Sequence, residues 1–166
     1  MSEEIWAAST VPVLDAECRV LLPLHDACFA AHRRSLQIDG VCYRPKDEYH
    51  VTLVGSALAA HVAGNRAASD ALARHLAATA IADWRVLPRA GRLLVQRPEA
   101  PAVRAIVQRV DVPAAAAIHA ALERVLAVPV PRPPLHVTLY WAGDPRGIGL
   151  ASDAALAASL VGPIAC

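Results

Sequence analysis

The chain has 166 residues, 55% of them hydrophobic, and a formal net charge of +1. That length suits one domain rather than two independent ones. No apolar run approaches the length of a bilayer-spanning helix, and the near-neutral charge argues against the broad basic face of an extended nucleic-acid footprint.

The opening Met1-Ser2-Glu3-Glu4 is acidic and lacks the basic-then-apolar pattern of a secretory signal, so a cytoplasmic location is expected; the lack of a long apolar run predicts a soluble protein, and a monomer is expected. Cys18, Cys28, Cys42 and Cys166 show no Cys-x-x-Cys pair, which gives no sign of a zinc ribbon; reduced, mostly buried thiols are expected. Only Lys46 among the sixteen cationic residues is lysine. Codon bias explains this as well as the alanine excess, although guanidinium forks also suit phosphate.

In chain order, residues 1–17 carry no clear period and read as a loosely held leader. Cys18–Pro23 reads as a short buried strand. His25 to Leu36 places Cys28, Phe29, His32 and Leu36 at helical offsets, and Asp39-Gly40 signals a turn. Val41–Tyr43 is a candidate edge strand, followed by a basic loop, Arg44–Asp47. His50-Val51-Thr52-Leu53 is then β-branched and aliphatic, as extended chain favours.

From Ala57 to Thr79 a narrow apolar stripe of Ala68, Leu72 and Leu76 predicts helix, interrupted or started at Gly64-Asn65. Trp84–Leu87 and Arg92–Gln96 read as strands of a hairpin turning at Pro88–Gly91. Arg97–Pro101 is a further turn, and Val103–Val110 is extended. Asp111 and Pro113 suit the start of a helix whose buried side is Ile118, Leu122, Val125 and Leu126. The proline-rich stretch 129–134 cannot continue that helix. It feeds a second copy of the earlier tetrapeptide, His136-Val137-Thr138-Leu139. A glycine-rich loop follows over Gly143–Gly149, and Ser152-Asp153 suits the cap of a last short helix.

The repeated tetrapeptide carries the chemistry. In a strand, residues i and i+2 share a face, so each His and Thr project one way and each Val and Leu the other. Splitting a phosphodiester needs a base and an acid, and imidazole serves as either near neutrality. Two hydroxyls can hold the non-bridging oxygens in a positioning and electrostatic role that requires no metal or other cofactor.

Paired His-x-Thr-aliphatic strands in the two halves of a chain of this size resemble the two-histidine phosphoesterase superfamily, which includes bacterial 2′-5′ RNA ligase and 2′,3′-cyclic phosphodiesterase proteins. The resemblance runs from about Cys18 to Gly143. It implies an α+β fold of duplicated bilobal antiparallel sheets with external helices around a central groove, with halves at about 18–87 and 88–143 and a tail at 144–166. It also implies His50 and His136 as the catalytic pair and Thr52 and Thr138 as the phosphate-binding hydroxyls.

The expected activity is a metal-independent phosphodiesterase acting on a small nucleotide or RNA terminus. A non-catalytic nucleotide- or RNA-end-binding module is the alternative, and a structural interaction domain would leave the two motifs without a shared groove. Candidate substrate contacts are Lys46, Arg44, Arg132, Arg146 and Tyr140. The four cations are equally readable as solvated loop charges or, for Arg146, as part of a plain turn. Tyr140 either shares the face of His136 and Thr138 to stack on a base or packs in the core, with Trp141 on the opposite face. His25, Cys28 and His32 fall at i, i+3 and i+7, a metal-ligand spacing, but a partly buried helix face is the favoured reading and no metal is expected.

Overall fold

The computed structural model describes residues 4–164, so Met1–Glu3 of the acidic start and Cys166 lie outside the described residues. Among the described residues, aliphatic and β-branched runs form ten strands: β1 (Trp6–Ala7), β2 (Val13–Leu14), β3 (Val20–Pro23), β4 (Leu36–Ile38), β5 (Val41–Pro45), β6 (His50–Val54), β7 (Arg85–Arg97), β8 (Ala100–Asp111), β9 (His136–Ala142) and β10 (Leu160–Ile164). The α-helices are α1 (Ser56–Ala63), α2 (Arg66–Ala78), α3 (Ala115–Leu126) and α4 (Asp153–Ser159). The fold is α+β, built on a curled antiparallel sheet. Its main path runs β1-β7-β8-β9-β6-β3-β2; β10 also pairs with β7, and β5 pairs with both β4 and β9.

The two faces of this sheet are covered differently. Leu58 and Val62 of α1, Leu72 of α2, and Ile118 and Leu122 of α3 pack with Val51, Leu53, Val137 and Leu139 in the main core. On the other face, Ile148, Leu150 and Leu156 cover Val95, Ala105 and Val107 in a separate cluster at the β7–β8 side. The helical layer therefore lies behind the motif strands.

Several local expectations hold. Asn65 caps α2 by accepting from the Ala68 N–H at 3.0 Å, and Ser152 caps α4 through the Ala155 N–H at 3.1 Å. Asp39 and Gly40 turn β4 into β5 with φ of 50° and 77°. Gly143 has φ 82°, and a Cβ there would sit 2.5 Å from the Ala102 carbonyl oxygen, so only glycine lets β9 close against β8.

Other expectations are corrected. The predicted helix from His25 is a 3₁₀ segment, Asp26–His32, broken at Phe29, and Leu36 already belongs to β4. Packing explains the break, because the Phe29 ring stacks on Tyr49 at 4.0 Å and meets Trp6 edge-on at 4.7 Å. The described part of 1–17 is tied down: Trp6 is 5% exposed, β1 pairs with β7, and β2 pairs with β3.

Pro88–Gly91 is no hairpin. It is a bulge inside the continuous β7, where the register against β8 jumps from Pro88↔Val110 to Arg92↔Gln108. The chain reverses instead after Arg97, which pairs with Ala100. Asp111 does not cap α3; its carboxylate is held by Arg89 at 3.0 and 2.6 Å. Among the cysteines, Cys18 and Cys28 are half-buried and Cys42 is exposed. No helix among the described residues is long and apolar enough to cross a membrane.

Candidate active site

β6 and β9 run antiparallel, and their registered pair is Val51↔Val137. One residue to either side, His50 therefore faces Thr138 and Thr52 faces His136. Directly opposed side chains share a face, so all four polar groups emerge together. Burial agrees: Val51, Leu53, Val137 and Leu139 have zero exposure, whereas His50, Thr52, His136 and Thr138 are half-buried. Opposed Cβ atoms lie about 4.5–5.5 Å apart and diagonal ones about 7–8 Å. The imidazoles occupy a diagonal of this pair.

Neighbouring strands extend this into two rows. Leu21↔Thr52 on β3 and Arg109↔His136 on β8 make the row Leu21, Thr52, His136, Arg109. Pro23↔His50 and Val107↔Thr138 make the row Pro23, His50, Thr138, Val107. Farther along β9 its partner becomes β5, through Arg44↔Trp141 and Pro45↔Tyr140. The motif strands thus meet at their motifs, and the basic loop leaving β5 enters where they part.

Each imidazole is tuned by its surroundings. His136 Nδ1 lies 2.8 Å from the Pro134 carbonyl oxygen. A carbonyl only accepts, so Nδ1 carries the proton and Nε2 is the nitrogen left to exchange protons. Burial holds the His136 pKa below its ordinary value, the Pro134 carbonyl opposes this, and the Arg109 charge adds to the lowering. Burial likewise lowers His50, helped by the charges of Lys46 and of His136 itself. Electrostatic coupling between the two histidines follows from their shared face.

No family model, curated protein or solved structure matches this chain.

The remaining sequence candidates separate. Lys46 is half-buried within electrostatic reach of His50, with Nζ donating to the Pro145 carbonyl at 2.6 Å. Arg44 sits over the Trp141 ring, 5.6 Å from its centroid. Tyr140 is corrected: it is 2% exposed in the main core and its hydroxyl is 3.2 Å from His32 Nδ1. The cause is a bulge, because β8 pairs Val107 with Thr138 but Ile106 with Tyr140, which skips Leu139 and inverts the alternation. Trp141, half-buried, takes the face expected for Tyr140.

Arg146 folds back onto Asp144 at 2.9 Å, and this contact holds the Asp144 carboxyl well below the usual carboxylate range. Arg132 is 3.5 Å from Glu123 and lines a cavity with His119 and Pro133 that includes none of the four motif His and Thr residues. His25, Cys28 and His32 do not converge: His25 is exposed, while His32 is buried against Tyr140 and Arg92. Among the described residues, no three His, Cys, Asp or Glu side chains are grouped to hold a metal.

Sequence reasoning missed Arg109. It was legible only as one cation in an extended run, because its place beside His136 comes from the β8–β9 register.

Proposed function

We propose that the protein is a metal-independent phosphodiesterase that opens a cyclic phosphate, or cleaves a phosphodiester, of a small ribonucleotide or RNA terminus. The observation that carries this reading is the Val51↔Val137 register, which puts two imidazoles and two hydroxyls on one face of adjacent strands. One histidine removes a proton from the attacking water as the new P–O bond forms; the other donates a proton to the departing ribose oxygen as the old P–O bond breaks. Thr52 and Thr138 hold the non-bridging oxygens.

Both free imidazoles titrate low and are neutral at pH 7. A bound phosphate anion supplies the charge that retains a proton on one of them. This reading keeps the duplicated, bilobal picture in which each half contributes one motif strand, and it fits a cytoplasmic monomer working on small substrates.

The test is turnover of 2′,3′-cyclic nucleotides, a cyclic phosphate of ADP-ribose and 2′-5′-linked oligonucleotides, with chelator present. Activity should survive the chelator, and His50→Ala or His136→Ala should each lower kcat by about 10²–10⁴. Retained activity in either variant overturns the mechanism. Nucleotide binding without turnover in the wild type would make the groove a recognition module instead.

A further inference from the structure

Arg109 stands out among the cations of the sheet. It lies directly opposite His136 on β8, so its side chain rises from the same face as the motif groups. It is half-buried, its Nε is fully buried with no hydrogen-bond partner, and it has no ion pair among the described residues. A buried, unpaired guanidinium N–H is costly, and buried polar groups normally find partners.

The local structure keeps this group open. Asp111, two residues along the same strand face, is the acid best placed to neutralise Arg109, but Arg89 holds it with a two-pronged contact. Arg89 itself comes from the β7 bulge, where the register skips from Pro88 to Arg92 and leaves Arg109 without a paired neighbour on that side. The bulge therefore leaves Arg109 without a strand partner on β7, and Asp111, still within electrostatic reach of Arg109, gives its hydrogen bonds to Arg89 instead. The other row of the site has Val107 at the matching position, so the cation is specific to the His136 row.

We propose that Arg109 is a substrate-binding residue whose guanidinium takes a non-bridging phosphate oxygen beside His136, anchoring the substrate phosphate on the β8–β9 side of the groove. This rests on the phosphodiester reading of the site but not on its chemistry, since anchoring requires no turnover. Nε stays buried, and the terminal amino groups of the half-buried guanidinium are the donors offered to the phosphate. Thr52, one place farther along the row, supplies a donor from the opposite side.

The experiment is titration with inorganic phosphate, read by calorimetry and by the arginine Nε–H resonances of the wild-type protein. The Arg109 resonance should move on binding, and Arg109→Gln should weaken phosphate about ten- to hundredfold. No phosphate binding, saturation without movement of that resonance, or unchanged affinity in the variant overturns the proposal. If the variant does not fold, the wild-type resonance alone decides. Steady-state turnover of 2′,3′-cyclic AMP separates the two ideas. Phosphate binding through Arg109 without turnover defeats the catalytic reading only. Turnover that needs both histidines, with KM and phosphate affinity unchanged in Arg109→Gln, defeats the anchor only.

Discussion

The two copies of His-Val-Thr-Leu are identical in sequence and differ in everything that surrounds them. The β9 copy has its imidazole pinned by the Pro134 carbonyl and flanked by Arg109 on the next strand. The β6 copy has Pro23 as its strand neighbour and receives its cation, Lys46, from a loop. Acid–base catalysis needs two imidazoles in different protonation states; coupling between like groups splits their titration, but only different settings decide which of the two keeps the proton. The asymmetry is thus a property of the flanking strands and loops, while the motifs supply the groups.

The largest test of that difference is at the hydroxyls. Thr138→Val should lower kcat/KM about a hundredfold, the usual cost of losing one preorganised donor. Thr52→Val should cost only about tenfold, because Arg109 in the same row still reaches the phosphate, whereas Val107 offers nothing beside Thr138. Equal losses, or a larger loss at Thr52, would break the distinction between the rows.

A smaller effect is expected at Lys46. Its charge disfavours the His50 imidazolium, so Lys46→Gln should raise the His50 titration midpoint towards its ordinary value and leave that of His136 in place. Burial is the first cause at His50, so the midpoint should still fall short of the value for a free imidazole. Ring-proton NMR across pH 4–8, roughly the range over which imidazoles titrate, reads both residues in one sample. Equal movement of the two midpoints would show that Lys46 acts on the whole groove.

What was legible in the sequence was local. Strand period is set by neighbours two residues apart, so the outward His and Thr and inward Val and Leu of each motif could be read directly. The pairing of β6 with β9 could not, because register depends on how β3, β5 and β8 bracket them. Tyr140 shows the cost: alternation put it in the groove, and one bulge against β8 sent it to the core and brought Trp141 round. The same limit hid the bulge in β7, where Pro88 and Gly91 mimic a hairpin turn, and it hid β10, whose Gly162 and Pro163 are poor strand formers held by the β7 ladder. The 3₁₀ segment at Phe29 was set by aromatic packing on Tyr49, about twenty residues farther along the chain.

The smallest expected effect joins the groove to stability. His32, His50, His119 and His136 all have pKa values lowered by burial as the first cause. Between the ordinary histidine value of 6.5 and these lower values, the unfolded chain binds more protons than the folded one. Stability is therefore fully present above pH 6.5 and declines as pH falls below it. The four histidines divide here. His32 and His119 are buried against Tyr140 and the Leu53 carbonyl, whereas His50 and His136 are half-buried on the shared motif face, where in the proposed function an anion pairs with their charged forms. Sulfate keeps the same charge across this range, so at matched ionic strength it should raise Tm relative to chloride by more at about pH 5.5 than at pH 8. The excess should vanish in the His50→Ala, His136→Ala double variant, which retains the other two histidines and any general effect of the salt. An excess that persists would mean that the anion acts elsewhere, and the two motif histidines would then be no different from the two in the core.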